Sequence, residues 1–190
     1  MRDNLLSNLF FITTLFNCSS TNYSKIADEN PKHLVESQDS LIQKGLSSEL
    51  QKALVKANIN LGVFELKNQS YDTALSYFQK SKSISDEDSL TDFYILLTEG
   101  KLLCETGKKK HLWAAIQKYN RATQFNPNSG LPFYFIGISY QRIDNTDFDL
   151  IKESLQKALL LSLDERTRKK TRNMLSTVNK REKRLKDFWK

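Results

Sequence analysis

The chain has 190 residues, of which 39% are hydrophobic and 27% are charged, and its formal net charge is +7. The length allows one domain with additional segments, and this balance is ordinary for a helical core. Residues 164–190 hold eleven Lys and Arg against four Asp and Glu, which leaves 18 basic and 18 acidic residues elsewhere. The net charge therefore gives no reason to expect that the rest of the chain binds polyanions.

The first twenty residues differ in composition from the remainder. Arg2 precedes a mainly apolar stretch from Leu5 to Phe16, and Cys18 follows almost at once. The stretch is too short to span a bilayer, which needs about 20 residues, but it has the length of a secretory hydrophobic region. We therefore expect an export signal at this end of the chain.

This segment resembles the signal peptide of a bacterial lipoprotein. In that family a Leu three residues before a Cys marks the cleavage site, and Leu15 and Cys18 stand at those positions. The resemblance implies a signal peptide over residues 1–17, lipidation of Cys18, and a flexible tether over residues 18–30. The lack of an Asp directly after the Cys implies sorting to the outer membrane. The alternatives are another export signal or an N-terminal helix of a cytosolic protein.

The rest of the chain predicts long helices, because only three prolines and six glycines interrupt it. Pro31 favours a first helical turn and Gly45 a helix end. A capping box of Ser48 and Gln51 and N-caps at 86–89 set later helix starts. The predicted helices run over 31–45, from 48 through 64, over 71–84, from 89 to near 107, and over 111–125, 131–143, 148–162 and 164–190.

Small and aromatic residues recur three times at related spacings. The first set is Gly62, Ala74, Phe78 and Ser81; the second is Ala115, Tyr119, Ala122 and Pro127; the third is Phe133, Ile136, Gly137, Tyr140, Leu155 and Ala158. These sets resemble the tetratricopeptide repeat, a pair of antiparallel helices in about 34 residues. The alternative is a generic helical bundle in which the small residues are coincidental.

The resemblance implies an all-α fold, a right-handed α-solenoid of about three helix-turn-helix repeats within residues 31–190. The repeats cover 55–88, 93–129 and 130–163, and the helix over 164–190 caps the array. Small residues such as Gly62 and Ala74 are expected where the two helices of a hairpin approach closely. Phe78 and Tyr119 are expected between adjacent hairpins. Gly100 becomes the small residue of the second repeat if three extra residues are allowed near 107–111.

The resemblance also implies a concave groove lined by the first helix of each hairpin. Its candidate residues are Lys56, Ile59, Val63 and Leu66 in the first repeat, and Leu131, Tyr134, Ile138 and Gln141 in the third. In the chaperone-binding members Lys and Asn clamp a carboxylate, but Ile59 and Val63 stand there in this chain. A carboxylate clamp is therefore not expected. Because the groove residues are mainly apolar and aromatic, we expect the groove to bind an amphipathic helix or an extended peptide of another protein. Alternatively, the helix over 31–45 fills it.

No arrangement of residues predicts catalysis. The sequence has no Gly-rich phosphate loop, nucleophile elbow or HExxH motif, and no Cys/His cluster for a metal. We therefore expect no enzymatic activity, cofactor, metal site or small-molecule substrate. The leading hypothesis is a membrane-anchored interaction scaffold of the bacterial cell envelope. The alternative is a cytosolic adaptor or RNA-associated protein that uses the basic helix over 164–190, a reading that the export signal disfavours.

Overall fold

The computed structural model describes residues 22–190, and all regular secondary structure in this part is helical apart from one isolated bridge between Ser129 and Ser162. The predicted signal peptide and Cys18 lie outside the described residues. The helices are α1 (Tyr23–Glu29), α2 (Pro31–Glu36), α3 (Gln38–Lys44), α4 (Ser48–Lys67), α5 (Tyr71–Ile84), α6 (Ser89–Glu105), α7 (Lys109–Phe125), α8 (Leu131–Ile143), α9 (Phe148–Leu160) and α10 (Glu165–Phe188).

Most of the segment predicted as a tether is a helix. The side chain of Asn22 accepts the N–H of Lys25 and caps α1, whose Ala27 is fully buried. Ala27 packs in a cluster that includes Leu34 of α2 and Leu54 of α4. The prediction of a flexible tether is wrong for residues 23–29. Their apolar residues are few, but they lie on one side of a helix, where α4 covers them.

The region over 31–45 forms two short helices rather than one. Pro31 occupies the first turn of α2, and Ser37 separates α2 from α3. Gly45 follows α3 with a φ of 123°, a conformation that side-chain-bearing residues rarely adopt. The cap of α4 is Ser47, whose Oγ accepts the N–H of Leu50, so the predicted capping position is one residue too late.

The six central helices pack in chain order. α4 pairs with α5, α6 with α7 and α8 with α9, while α5 contacts α6 and α7 contacts α8 to join successive pairs. The bounds of α5 and α8 agree with the predicted ones. The longer connection expected in the second repeat contains Gly107, whose φ of 68° lets the chain turn sharply before α7.

A large side chain packs on a glycine in each of these three helix pairs. Phe78 lies against Gly62, Tyr119 against Gly100, and Leu155 against Gly137. Both aromatic rings also reach the next pair, because Phe78 stacks on Tyr94 at 5.2 Å and Tyr119 stacks on Phe135 at 5.4 Å between ring centroids. The rings therefore fill space within their own pair as well as between pairs.

The last helix runs antiparallel to α9. Asp164 caps α10 by accepting the N–H of Thr167, and Val178 is buried beside Ile151 and Leu155. Lys152 of α9 binds Glu182 of α10 with an Nζ–Oε2 distance of 2.8 Å. The first two thirds of α10 thus cover the final helix pair.

Candidate functional site

A pocket of about 560 Å³ lies between α4 and the segment that leads from α5 into α6. Its apolar surface comes from Val55 and Ile59, which are nearly buried, and from Leu90, which is 38% exposed. The remaining lining residues are polar or charged: Gln51, Lys52, Lys56, Asn60, Ser85, Glu87 and Asp88. The pocket therefore has an apolar floor and a polar rim.

Hydrogen bonds fix the wall of the pocket on the α6 side. The Asp88 carboxylate accepts from the backbone N–H and the hydroxyl of Thr91, both at 2.6 Å, and so caps α6. The Thr91 hydroxyl also lies 2.8 Å from that of Ser81, which joins α6 to α5. Since Ser81 and Thr91 are both fully buried, this hydrogen bond ties the wall of the pocket to the core between α5 and α6.

Contacts from α4 fix the other wall. The Gln51 amide donates to the carbonyl of Ile84 at 2.8 Å and ties α4 to the end of α5. On the opposite edge of α4, Lys56 binds Asp28 at 2.7 Å and Asn60 donates to the carbonyl of Ala27 at 3.1 Å. Helix α1 therefore borders the pocket, whereas α2 packs on Leu50 and Leu54.

The positions of α2 and α3 on α4 show whether the 31–45 region fills the pocket, as the alternative interpretation of the groove requires. At 100° per residue, the stripe of α4 containing Leu50, Leu54 and Ala57 is roughly opposite the one containing Val55 and Ile59. Since α2 and α3 pack with the first stripe, they do not occupy this pocket.

The candidate groove residues of the first repeat divide along α4. Lys56 and Ile59 line the pocket, as a groove position requires. Val63 and Leu66 lie further along the helix, outside its lining, and both are partly buried.

The candidates on α8 lie in other surroundings. Leu131 packs against the cluster built by α6 and α7, and Tyr134 packs against the cluster formed by Ile151, Leu155 and Val178. Burial, with a smaller effect from Asp164, raises the pKa of the Tyr134 phenol. Leu131 and Tyr134 thus help to hold adjacent helices together. Ile138 and Gln141 are also only partly exposed.

The second repeat contributes residues that the sequence left unassigned. Because Gly100 receives Tyr119 as Gly62 receives Phe78, the positions equivalent to the candidate residues are Tyr94, Leu97, Lys101 and Cys104. The alignment of Gly100 with Gly62 is the feature of the sequence that identifies these four positions. The three extra residues before α7 obscured that alignment.

Lys101 is the charged member of that set. Its ammonium lies 4.7 Å from the ring centroid of Phe135 and 5.4 Å from that of Tyr71. Burial lowers the pKa of Lys101, although Cys104 and Glu105 act in the other direction. The contacts with two aromatic rings offset part of the cost of burying this ammonium, so Lys101 acts first as a link between α5, α6 and α8.

No family model matches this chain, and a search among curated proteins finds no relative. Within residues 22–190, no three His, Cys, Asp or Glu side chains come together as a metal-binding group. None of the helices in the same part has the length and apolar composition needed to cross a bilayer.

Proposed function

We propose that this chain is a non-enzymatic scaffold of the tetratricopeptide type that is anchored to a membrane of the bacterial cell envelope and binds a partner protein. The observation that carries the proposal is the pocket on α4 and α6, with Val55, Ile59 and Leu90 as its apolar surface. The partner contributes an amphipathic helix or an extended segment, and no chemical step is assigned to the site.

The repeat interpretation is supported by the three glycine contacts. Gly62, Gly100 and Gly137 each lie in the first helix of a pair and each face a large side chain of the second helix. Generic bundles have no reason to repeat the same small-to-large contact in successive pairs, whereas stacked repeats do. In such an array the first helices line one face, and two of the first helices, α4 and α6, contribute residues to the pocket.

The partner chemistry follows from the pocket lining. Leu90 is the most exposed apolar residue there, and it shares the lining with the nearly buried Ile59 and with the charged Lys52 and Glu87. An apolar side chain of the partner can pack on Leu90 and Ile59 while its polar neighbours meet the rim. A few such anchors supply most of the affinity of a peptide in a groove.

Anchoring rests on the sequence before the described residues. Cys18 follows an apolar stretch at the spacing of a lipoprotein signal, and we assign it as the lipid attachment site. Several acyl chains on one residue give durable membrane association, whereas a single chain gives a reversible one. The outer membrane is the favoured location.

A charge placed in the pocket tests the docking surface. Leu90→Asp should reduce partner capture at least tenfold, because it places a carboxylate on the apolar surface of the pocket. Leu160→Asp is the matched control, since Leu160 is 84% exposed on α9, outside the pocket. A photoreactive residue at position 90, but not at 160, should crosslink to one discrete partner in the native host. Equal capture by both variants would contradict the docking surface.

A separate experiment tests the anchor. The wild-type chain should incorporate a labelled fatty acid and sediment with membranes in its native host, and Cys18→Ala should incorporate none. If both chains are recovered unlabelled from the soluble fraction, the lipid anchor and the envelope location are wrong.

A further inference from the structure

The last helix continues well beyond the helix that it covers. α10 has 24 residues and α9 has 13, so at 1.5 Å per residue α10 is longer by about 16 Å. The last hydrogen bonds from α10 to other described segments are at Arg181, which donates to the carbonyl of Asn145 at 3.0 Å, and at Glu182, which binds Lys152. Beyond them, Leu185 and Phe188 line a shallow pocket together with Thr146 and Phe148. Residues 183–190, here called the α10 tip, extend past these hydrogen bonds.

The α10 tip carries an apolar stripe on its surface. Leu185 is 42% exposed, Phe188 78% and Trp189 77%. Their spacing of three and four residues places them on one side of the helix, on the stripe that buries Val178 further back. The same stripe thus packs on α9 in its first part and faces solvent at its end.

Positive charge lies on both sides of this apolar stripe. At 100° per residue Arg184 and Lys186 flank Leu185, whereas Lys180 and Lys183 lie on the opposite side of the helix. From residue 178 onwards there are six basic residues, namely Lys180, Arg181, Lys183, Arg184, Lys186 and Lys190, against only Glu182 and Asp187. Lys152 and Lys186 hold the Glu182 carboxylate and lower its pKa, and Lys190 lies 3.4 Å from Asp187. Both acidic groups are therefore already paired, and the end of the helix is strongly basic.

We infer that the α10 tip binds the surface of an anionic phospholipid bilayer. Phe188 and Trp189 enter the headgroup region together with Leu185, while the surrounding Lys and Arg side chains meet the lipid phosphates. A basic helix face around exposed aromatic and aliphatic residues has the chemistry of an interfacial segment, and Trp favours the headgroup level. This contact is independent of the pocket on α4 and of Cys18.

The apolar residues favour a lipid surface over a nucleic acid. Binding to phosphates alone needs the basic side chains but gives no role to an exposed Leu185. The rings of Phe188 and Trp189 pack edge to face on each other, with centroids 5.3 Å apart, instead of presenting two parallel faces to successive bases. A bilayer interface accepts the whole stripe.

Trp189 provides a local reporter for the test, because the chain has only one other tryptophan, Trp113. The full chain carrying Cys18→Ala and Trp113→Phe, produced without lipid modification, is mixed with equimolar phosphatidylglycerol–phosphatidylcholine vesicles. The emission of Trp189 should shift to the blue and be quenched by brominated lipid. Vesicles of phosphatidylcholine alone should have no effect. The apolar stretch over residues 5–16 contains no Trp, so the emission reports the surroundings of Trp189 itself.

Charge variants complete the test. Removing one basic residue near an anionic surface weakens binding about fivefold, so Arg184→Ala with Lys186→Ala, which flank Leu185 on the α10 tip, should weaken it about 25-fold. The control variant, Lys108→Ala with Lys110→Ala, also removes two positive charges from the chain. It should bind as tightly as the parent, since both lysines lie at the start of α7 and not on α10.

Three results would overturn the inference. The first is Trp189 emission that anionic vesicles leave unchanged, and the second is an equal response to neutral vesicles. The third is a response to duplex DNA or RNA in place of vesicles, which would assign the basic helix to nucleic acid instead. Each is independent of whether a partner protein binds the pocket or a lipid modifies Cys18.

Discussion

The ring of Tyr119 lies directly against the backbone of Gly100, with no space for a methyl group between them. A Cβ built on Gly100 would come within 2.7 Å of Cζ of this ring, and one on Gly62 would meet Cζ of Phe78 at the same distance. Both aromatic side chains are fully buried and stack on a further ring of the next helix pair. Neither can move aside without disturbing two helix pairs.

We predict that Gly100→Ala destabilises the chain. Alanine gains about 1 kcal/mol of helix propensity over glycine, but overpacking a filled core costs about 1–3 kcal/mol and here shifts a ring held on both sides. The net loss should be measurable as a lower urea midpoint with an unchanged slope. Gly62→Ala should behave in the same way.

Gly137→Ala provides the comparison. Its added Cβ would meet Cδ2 of Leu155 at 2.9 Å and Cγ at 3.1 Å, and these atoms belong to a flexible side chain rather than to a ring. A small rotation of Leu155 relieves the contact, so the loss should be smaller than for Gly62 or Gly100. Equal losses at all three positions would mean that the rigid rings do not determine the cost.

We predict that alkaline pH destabilises the fold through Tyr119. Burial is the main cause that raises the pKa of this phenol far above its ordinary value of 10.0, and Cys104 adds to it, with its Sγ 3.5 Å from the phenol oxygen. Because the folded state holds the proton more tightly, the stabilisation is complete below pH 10 and is lost as the pH rises further. One such group contributes a slope of about 1.4 kcal/mol per pH unit.

Tyr119→Phe isolates this effect. The variant keeps the ring against Gly100 and loses only the hydroxyl, so its stability near neutral pH should change by about 1 kcal/mol or less. Above pH 10 its free energy of unfolding should fall less steeply than that of the parent. Urea unfolding at a series of pH values measures both slopes, and identical slopes would exclude Tyr119 as a source of the alkaline loss.

We predict that Ala27→Asp destabilises the chain by about 3 kcal/mol or more, because it places a carboxylate beside Leu34 and Leu54. Asp28→Ala is the control. It removes an ion pair with Lys56 whose two side chains are about half exposed, which is worth less than about 1 kcal/mol. Thermal unfolding of the two variants distinguishes a packed α1 from a tether, since a tether would tolerate both changes equally.

The sequence predicts the bounds of the helices better than it predicts which helices pack against each other. The bounds of α5 and α8 follow from local signals, such as Pro132 in the first turn of α8. The burial of α1 depends on α4, which lies more than twenty residues further on, so its few apolar residues were not sufficient to indicate it. Tyr134 was assigned to a groove by repeat position, but α10 returns over the last helix pair and brings Val178 into the cluster on which Tyr134 packs. No local pattern reports where a terminal helix returns.

The last prediction concerns Asp88, which caps α6 and forms part of the pocket rim. Asp88→Ala should cost about 1–2 kcal/mol, because the N–H of Thr91 loses its acceptor and the Thr91 hydroxyl loses one of its partners. Amide hydrogen exchange of Thr91 should become faster, which reports the first turn of α6 directly. Asp86→Ala is the matched control, since the Asp86 side chain is 89% exposed and its carboxylate pairs with Lys82, on the preceding helix. It should leave the exchange of Thr91 unchanged, and an equal effect of the two variants would show that the acidic segment acts through its overall charge rather than through a specific cap.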